Sequence, residues 1–353
     1  MSEKYVGVDA HQAGLVIEVM GAKGNCLMHS VIPTRADAIK EFFGGLKGTV
    51  HVTFEEGTLA EWLFSLIQPL VAKVIVCNPR ANKLLAVGIK DDDHDAHNLA
   101  DLLRMGRLKP VYHERQGMQV LKELVHNYDA LTTDRIRVMN RVKALYRGRG
   151  IPSAGPDVYY KRNRDLWLNK LVEAGRRQRA EFFYQQLDHL SGLCRESRRA
   201  MLAEARKHAA YMIIRQISVL GPVRTAQIMA AVVTPHRFRT KRQFWPYVGL
   251  GVITRTSSDY ELVKGRMLRR QKVVGTRGLN QNYSHRLKYV FKSAAIDGMR
   301  REPFRQYYAQ LMDKGMRPEM ARLTLARKIA AVTLAIWKSG KGFDALKLEA
   351  AKG

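Results

Sequence analysis

The segment TVHVTFEEGTLAEWLFSLIQPLVAKVIVCNP, residues 49–79, alternates between strand-like and helix-like patterns. TVHVTFEE (49–56) is rich in β-branched residues and predicts a strand that ends in two glutamates. LAEWLFSLIQPL (59–70) has apolar residues at helical spacing, and KVIVCNP (73–79) predicts another strand, closed by Asn-Pro. A strand, a helix and a strand in this order indicate an α/β unit.

The segments on either side extend this unit to a mixed sheet. Before it, YVGVDAH (5–11), LVIEVM (15–20) and CLMHSVI (26–32) predict three strands, and residues 36–46 predict a helix. After it, KDDDHDAHNLADLLR (90–104) places four aspartates within five positions and leads into another helix. Three strands followed by helix, strand, helix, strand and helix predict a mixed α/β sheet.

From about residue 115 the sequence predicts mainly helices. QVLKELVHNYDALTTDRIRVMNRVKALYRGRG (119–150) keeps apolar residues at helical spacing, and the arginine-rich residues 165–208 do so again after a linker. ISVLGPVRTAQIMAAVV (217–233) resembles a helix-hairpin-helix, and three more helices follow GTRGLNQN. We therefore predict three domains: a sheet domain with a trailing long helix (1–150), a helical arm or coiled coil (151–208) and a mainly helical C-terminal domain (209–353).

Charge is distributed unevenly along the chain. The 353 residues include 60 Lys and Arg against 32 Asp and Glu, a net charge of +28. Residues 1–110 carry 12 basic and 13 acidic residues, whereas the remainder carries 48 basic and 19 acidic residues. A basic surface of this extent predicts a protein that binds a polyphosphate backbone.

Cysteine use and apolar runs bear on the compartment. Three widely spaced cysteines fit neither a disulfide framework nor a zinc site and are typical of a reducing cytosol. The run IAAVTLAIW (329–337) is too short to span a bilayer and predicts a buried helix. We expect a cytoplasmic protein with no membrane partner.

Carboxylates recur at the predicted ends of strands and at the start of a helix. Asp9 ends the first strand, Glu55 and Glu56 end a later one, and Asp92 and Asp95 stand three residues apart on a helix. Each alone is explained equally well by a turn or a helix cap. Together, in a protein that binds polyanions, they predict an oxygen site for Mg²⁺ or Mn²⁺.

The order of these motifs resembles the DEDD transposases of the insertion-sequence one-ten family. The motifs that carry the resemblance are GVDAH (7–11), FEEGT (54–58), DHDAHNLA (93–100, after Asp92), LGPVRTAQI (220–228) and FWPYVGL (244–250). The resemblance covers nearly the whole chain. It implies a RuvC-like, RNase H-fold N-terminal domain and a C-terminal transposase domain that bears a serine nucleophile.

The resemblance also implies which residues act. Asp9, Glu55, Asp92 and Asp95 match the metal-binding tetrad, and Ser257 matches the nucleophile. Glu56 and Ser258 are the alternatives to Glu55 and Ser257. Asp91 and Asp93 are expected either to cap the helix or to contact the residues that bind the metal. The chain departs from the family pattern at Gly251, where proline is common, and at Ser257-Ser258-Asp259, where Ser-Gly is common.

The activity that the resemblance implies is cutting and rejoining of DNA at the ends of an insertion sequence and at its target. A serine hydroxyl would form a phosphoserine ester, which keeps the phosphodiester energy for the rejoining step. The implied partners are a structured non-coding guide RNA and further copies of the chain, as a dimer or tetramer. The resemblance also implies a catalytic centre shared between subunits, and activity at the bacterial nucleoid. Aromatic residues in the basic helices fit either base stacking or helix core. They are Tyr146, Tyr159, Tyr160, Trp167, Phe182, Phe183 and Tyr184.

Two other functions fit the same composition. A RuvC-like junction-resolving endonuclease would use the four carboxylates and a metal-activated water, and would need neither Ser257 nor Ser258. A nucleic-acid-binding protein without enzymatic activity would use the carboxylates only as helix caps and turn formers, and divalent metal would be irrelevant to it.

Overall fold

The chain, as a computed structural model, forms two compact units, Met1–Gly117 and Met118–Gly353. The structure describes residues 2–79, 92–113, 118–257, 260–263, 266–269, 273–279 and 282–348. The first unit ends just before the long helix that the predicted domain 1–150 includes. The predicted boundaries after residues 150 and 208 remain predictions.

The N-terminal unit is built on a sheet of five strands in the order β3-β2-β1-β4-β5. β2 runs antiparallel to β1 and β3, whereas β1, β4 and β5 are parallel to one another. The mixed sheet predicted from the sequence is therefore confirmed. The strands are β1 (Glu3–Ala10), β2 (Gly14–Gly21), β3 (Cys26–Pro33), β4 (Thr49–Glu55) and β5 (Lys73–Cys77).

Helices cover both faces of this sheet. Helices α1 (Ala36–Gly45) and α2 (Ala60–Ile67) share one core with the even-numbered residues of β1 and β4, including Val6, Val8, Val52 and Phe54. Helix α3 (Asp92–Arg104) packs on β1, β2 and β4. Because successive strand side chains point to opposite faces, the odd-numbered residues of β1 and β4 face α3.

Two long helices in the C-terminal unit pack against each other: α4 (Gln119–Arg147) and α6 (Ala174–Arg206), separated by the short α5 (Arg164–Leu168). They run antiparallel, because Asn127 near the start of α4 contacts Ser197 near the end of α6, and the Tyr146 and Tyr184 hydroxyls meet at the other end. A paired helical stretch was predicted here. Its role as an arm that mediates assembly stays a prediction.

The remaining helices enclose the core of the C-terminal unit. The run at 329–337 lies in a buried helix, as predicted. Within the residues that the structure describes, no helix combines the length and apolar character needed to span a membrane. The helices are α7 (Ala209–Ile214), α8 (Pro222–Val232), α9 (Lys241–Tyr247), α10 (His285–Gly298), α11 (Phe304–Asp313) and α12 (Pro318–Ser339).

Four short strands follow α9, and the sequence did not predict them. They form two separate two-stranded antiparallel sheets, β6 with β9 and β7 with β8. The C-terminal unit is mainly helical as predicted, with this β region as an addition. The strands are β6 (Val252–Ser257), β7 (Tyr260–Val263), β8 (Arg266–Arg269) and β9 (Val273–Leu279).

Candidate active site

Asp9 and Glu55 lie at the same edge and on the same face of the N-terminal sheet. β1 and β4 are parallel neighbours with Gly7 opposite Thr53 and Val8 opposite Phe54. The next residue of each strand is Asp9 in β1 and Glu55 in β4, so these two residues lie beside each other at the carboxyl ends of their strands. Since both have odd numbers in strands whose even residues face α1 and α2, both face α3.

Helix α3 runs antiparallel to β1, which brings its first residues to the same edge. Arg104, at the end of α3, lies against Gly24 in the β2–β3 turn, near the start of β1. Further toward the middle of the strand, Gly7 lies directly under α3. A Cβ atom there would be 2.5 Å from the backbone nitrogen of Ala100 and closer still to the carbonyl oxygen of Ala96.

This docking places the aspartates of α3 at the edge where β1 and β4 end. Asp95 directly precedes Ala96, which contacts Gly7, and Asp92 begins the helix at the outermost turn. The structure thus brings Asp9, Glu55 and the backbone of both helix positions to one region. Nothing is described of the Asp92 and Asp93 side chains, and Asp91 lies outside the described residues.

A cleft of about 440 Å³ opens at this edge. It is lined by the segment after β1, including His11, by Glu55, and by the turn that enters α2. His11 Nε2 and Asp9 Oδ2 share a hydrogen bond of 2.9 Å. The imidazole of His11, which lines the cleft, therefore restrains the orientation of the Asp9 carboxylate.

Glu56 points to the opposite face from Glu55 and has a different partner. Its Oε2 lies 2.6 Å from Nε2 of His113, whose other nitrogen is 3.2 Å from Oε2 of Glu61 without a hydrogen-bonding orientation. The His113 side chain is only 6% exposed and its ring lies against Phe64. The sequence did not reveal His113, because it is 57 residues from Glu56.

The acidic side chains at this edge offer carboxylate oxygens, which are the ligands that Mg²⁺ and Mn²⁺ prefer. Among the side chains that the structure describes, no three His, Cys, Asp or Glu residues are arranged so that they could hold a metal ion. The Asp92 side chain is not among them. The backbone positions of the four residues lie in one region, and metal binding by their side chains remains a prediction.

Ser257 is the last residue of β6 and pairs with Val273 of β9. Nothing is described of its side chain, and Ser258 lies outside the described residues. The turn before β6 is firmly anchored. Gly249 has a φ of 70° and packs against the Tyr283 ring, and the carbonyl oxygen of Leu250 accepts a 2.7 Å hydrogen bond from Nε of Arg327 on α12.

Two models of known protein families match the chain. Residues 6–148 match the DEDD model of IS110, described as a transposase, and residues 211–309 match the model of the transposase IS116/IS110/IS902 family. No curated protein matches the chain. The first match contains Asp9, Glu55, Asp92 and Asp95, and the second contains Ser257. The two matches lie in the same order as the motifs, and the chain belongs to the IS110 family of transposases, the DNA transposase and recombinase enzymes of insertion sequences.

Proposed function

We propose that this transposase cuts and rejoins DNA strands through a phosphoserine ester on Ser257, and that four carboxylates hold Mg²⁺ or Mn²⁺. These are Asp9, Glu55, Asp92 and Asp95. The observation that carries the proposal is the docking of α3 on Gly7, because it brings the start of this helix to the ends of β1 and β4. The family matches supply the reaction class.

The sheet order supports an RNase H-like fold for the N-terminal unit. The three opening strands are antiparallel neighbours, the fourth pairs in parallel with the first, and a helix that begins with Asp92 covers them. This is the order of parts that the resemblance to RuvC-like nucleases implies. This strand order puts Asp9 on β1, the central strand of the sheet, and Glu55 on the neighbouring strand β4.

Each side chain has a distinct task in this proposal. The Ser257 oxygen attacks the phosphorus and loses its proton, and the bond from phosphorus to the oxygen of the departing strand breaks. That oxygen takes up a proton and leaves as the free hydroxyl of the strand. The new ester keeps a phosphodiester bond, so the hydroxyl of another DNA end can reverse the step and release Ser257. When bound, a divalent cation supplies positive charge that stabilises the attacking and leaving oxygens. His11 holds the Asp9 carboxylate in orientation.

The side-chain contacts support Glu55 rather than Glu56 as the ligand. Glu55 faces α3 and lines the cleft, whereas Glu56 faces the other way and is bound by His113. Glu56 and His113 would then stabilise the turn that follows β4. Replacement of Glu56 is expected to lower protein stability, and replacement of Glu55 to abolish metal-dependent activity.

The proposed partners are DNA at the element ends and target, a structured guide RNA, and further copies of the chain. The basic excess of 48 to 19 after residue 110 supports a large polyanionic partner. The proposed domains are the RuvC-like domain with its trailing helix (1–150), the arm (151–208) and the transposase domain (209–353). The turn at LGPVRTAQI, between α7 and α8, is the proposed helix-hairpin-helix contact to a phosphate backbone.

A covalent-trapping experiment tests the proposal. The protein is incubated with Mg²⁺, its flanking RNA and a labelled DNA junction from the element end, then denatured, and DNA bound to protein is measured. The adduct is expected in the wild type and in Ser258→Ala, and its loss is expected in Ser257→Ala and in Asp95→Asn. Asp101→Asn, two turns along α3 and paired with Arg104, is the matched control that should keep the adduct.

Other outcomes distinguish the alternatives. Metal-dependent cleavage without an adduct, unaffected by either serine change, would establish a hydrolytic nuclease. Binding without any strand cleavage, and without an effect of Mg²⁺ or of Asp95→Asn, would establish a binding protein only. Loss of the adduct in Ser258→Ala alone would move the nucleophile to Ser258.

A further inference from the structure

A groove of about 970 Å³ lies in the C-terminal unit between α4, α6, α8 and α10. Among the residues that the structure describes, five arginines and no lysine line it, and Asp129 supplies the only carboxylate. We call this surface the arginine groove. Its arginines are Arg135, Arg195, Arg198, Arg224 and Arg286.

Two of the five arginines are already neutralised. Arg286 Nε lies 2.5 Å from Oδ2 of Asp129, and Arg224 pairs with Asp297 and also donates to the carbonyl oxygen of Val219. These pairs hold the walls formed by α8 and α10. The positive charges of Arg224 and Arg286 are therefore balanced by carboxylates of the protein itself.

The other three arginines have positive charge to spare. In the part of the chain that the structure describes, Arg135, Arg195 and Arg198 have no carboxylate within 4.0 Å. Arg195 and Arg198 are exposed, whereas the Nε atom of Arg135 is buried and has no acceptor. The Oγ1 atom of Thr132, one turn earlier on α4, is also buried without a partner. A buried donor without a protein acceptor is uncommon in a folded protein, and an ordered water or a bound ion accounts for many such groups.

The chemistry of the lining indicates a phosphate ligand. The planar guanidinium group donates two parallel hydrogen bonds to a phosphate, and a site made of arginines alone favours this geometry over simple charge attraction. Tyr289, 73% exposed, also lines the groove. An exposed aromatic ring beside phosphate-binding arginines is the arrangement that binds unpaired bases by stacking.

We propose that the arginine groove binds a single-stranded stretch of nucleic acid, with its phosphates on Arg135, Arg195 and Arg198 and a base on Tyr289. Pockets for small molecules usually have volumes of roughly 300–1,000 Å³. The arginine groove, at about 970 Å³, is as large as the largest of these and is open to solvent, which suits a segment of a longer chain. The inference deepens the proposed function, on which it rests for the class of ligand. None of these residues belongs to the proposed catalytic set, so binding needs no metal.

The test measures binding of the full-length protein in EDTA to labelled 20-mers of single-stranded DNA and RNA, and to a duplex of the same length. The groove variant is Arg135→Ala/Arg195→Ala/Arg198→Ala. Its matched control, Arg206→Ala/Arg300→Ala/Arg301→Ala, removes three exposed arginines outside the groove. We expect the groove variant to lose at least about tenfold in single-strand affinity, and its slope of log affinity against log salt to become shallower by roughly 2.

Tyr289 separates single-strand from duplex binding. Tyr289→Ala is expected to weaken single-strand binding about tenfold and leave duplex binding unchanged, because a duplex offers no unpaired base. Tyr289→Phe keeps the ring and should retain the wild-type affinity. DNA and RNA present the same phosphates. Whichever of the two loses more affinity in the groove variant is the nucleic acid that occupies the groove.

Three results would overturn the inference. Equal losses in the groove variant and its matched control would show a general effect of charge. Displacement of the oligonucleotide by polyglutamate at equal charge would show a site for any polyanion. A loss confined to the duplex would contradict single-strand binding. If the triple variant does not fold, Arg195→Ala/Arg198→Ala replaces it, since both side chains are exposed. Since the assay contains no Mg²⁺, failure of strand cleavage and failure of this inference are separate results.

Discussion

Gly7 allows α3 to lie directly on the backbone of β1. Any side chain there would collide with the backbone at Ala96 and Ala100, which cannot move without shifting the helix. Gly14 on the neighbouring strand is a useful comparison, because an added Cβ would meet its nearest atom, the carbonyl oxygen of Ile32, at an ordinary 3.4 Å. The close approach at Gly7 is thus specific to the helix contact.

Gly7→Ala is expected to destabilise the protein by about 1–3 kcal/mol, the usual range for overpacking, and to reduce metal-dependent cleavage because α3 must move. Gly14→Ala should leave stability nearly unchanged. Urea unfolding midpoints of the two variants measure the difference. Equal midpoints would show that α3 is not held against β1 as described.

Glu18 is a buried carboxylate on β2, only 4% exposed, under α3. Burial alone would raise its pKa, but hydrogen bonds from Cys26, His97 and His29 outweigh this effect, so that the pKa of Glu18 lies below its ordinary value of 4.5. Because the folded state binds this proton less readily than the unfolded state, Glu18 stabilises the fold above the unfolded pKa. That contribution is lost as the pH falls through the folded pKa.

Glu18→Gln should therefore cost about 1–3 kcal/mol at pH 7, and its difference from the wild type should shrink as the pH falls below 4.5. Urea midpoints at pH 7 and at successively lower pH values measure this. A difference that grew on acidification would mean that the pKa of Glu18 is raised instead.

For single residues, the sequence predicted the positions of the acidic residues in strands and helices, but not which side chains surround them. Asp9, Glu55 and Asp95 could be placed because strand ends and helix starts have local signals in GVDAH, TVHVTFEE and the aspartate run. The burial of Glu18 could not be predicted, since it depends on a helix far along the chain covering one face of LVIEVM. Hydrogen bonds of this kind have no local sequence pattern.

The pair of long helices α4 and α6 is closed at one end by a polar and aromatic cluster. Arg164 on α5 donates two hydrogen bonds to Asp188 on α6, at 2.6 and 2.5 Å, and is only 18% exposed. This pairing raises the pKa of Arg164 and lowers that of Asp188. Beside it, the buried Tyr184 hydroxyl lies 3.2 Å from that of Tyr146.

Asp188→Asn is expected to destabilise the helix pair by about 1.5–3 kcal/mol, because it leaves a largely buried guanidinium without its charged acceptor. Asp134→Asn is the matched control. It breaks the pair of Asp134 with Arg137, whose side chains are 50% and 67% exposed, and should change stability by no more than about 0.5 kcal/mol. Thermal unfolding followed by circular dichroism distinguishes the two.

From the sequence, seven aromatic residues of the basic helices could belong either to the helix core or to a base-stacking surface. The structure shows which of them are buried and which are exposed. Tyr146, Trp167 and Tyr184 are buried together in one cluster, whereas Tyr160 and Phe182 are exposed. The strands β6 to β9 had no comparable signal. Segments such as VITRTS and RMLR mix arginine with apolar residues and form only two-stranded sheets, so neither length nor alternation distinguished them from loops.

On the scale of the whole molecule, the proposed metal ligands and the proposed nucleophile belong to different compact units. The family resemblance implies a catalytic centre that draws on two subunits. We therefore expect a mixture of Asp95→Asn and Ser257→Ala proteins to recover part of the strand-transfer activity that each has lost. Each mixed dimer would contain one centre with both wild-type parts.

The measurement is strand transfer after the two variants are purified together from one cell. Each variant alone and a mixture of two different metal-site variants, Asp95→Asn with Asp9→Asn, are the controls and should stay inactive. No recovery in the first mixture would place both parts of the centre in a single chain.

The hydrogen bond from Arg327 to the carbonyl oxygen of Leu250 spans 77 positions of the sequence. It follows that the turn before β6 is completed by a helix that the ribosome makes much later. A nascent chain that already includes Ser257 still lacks α12. It therefore lacks the hydrogen bond from Arg327 to the turn that precedes β6. We therefore expect the turn before Ser257 to reach its final conformation only after α12 has been made.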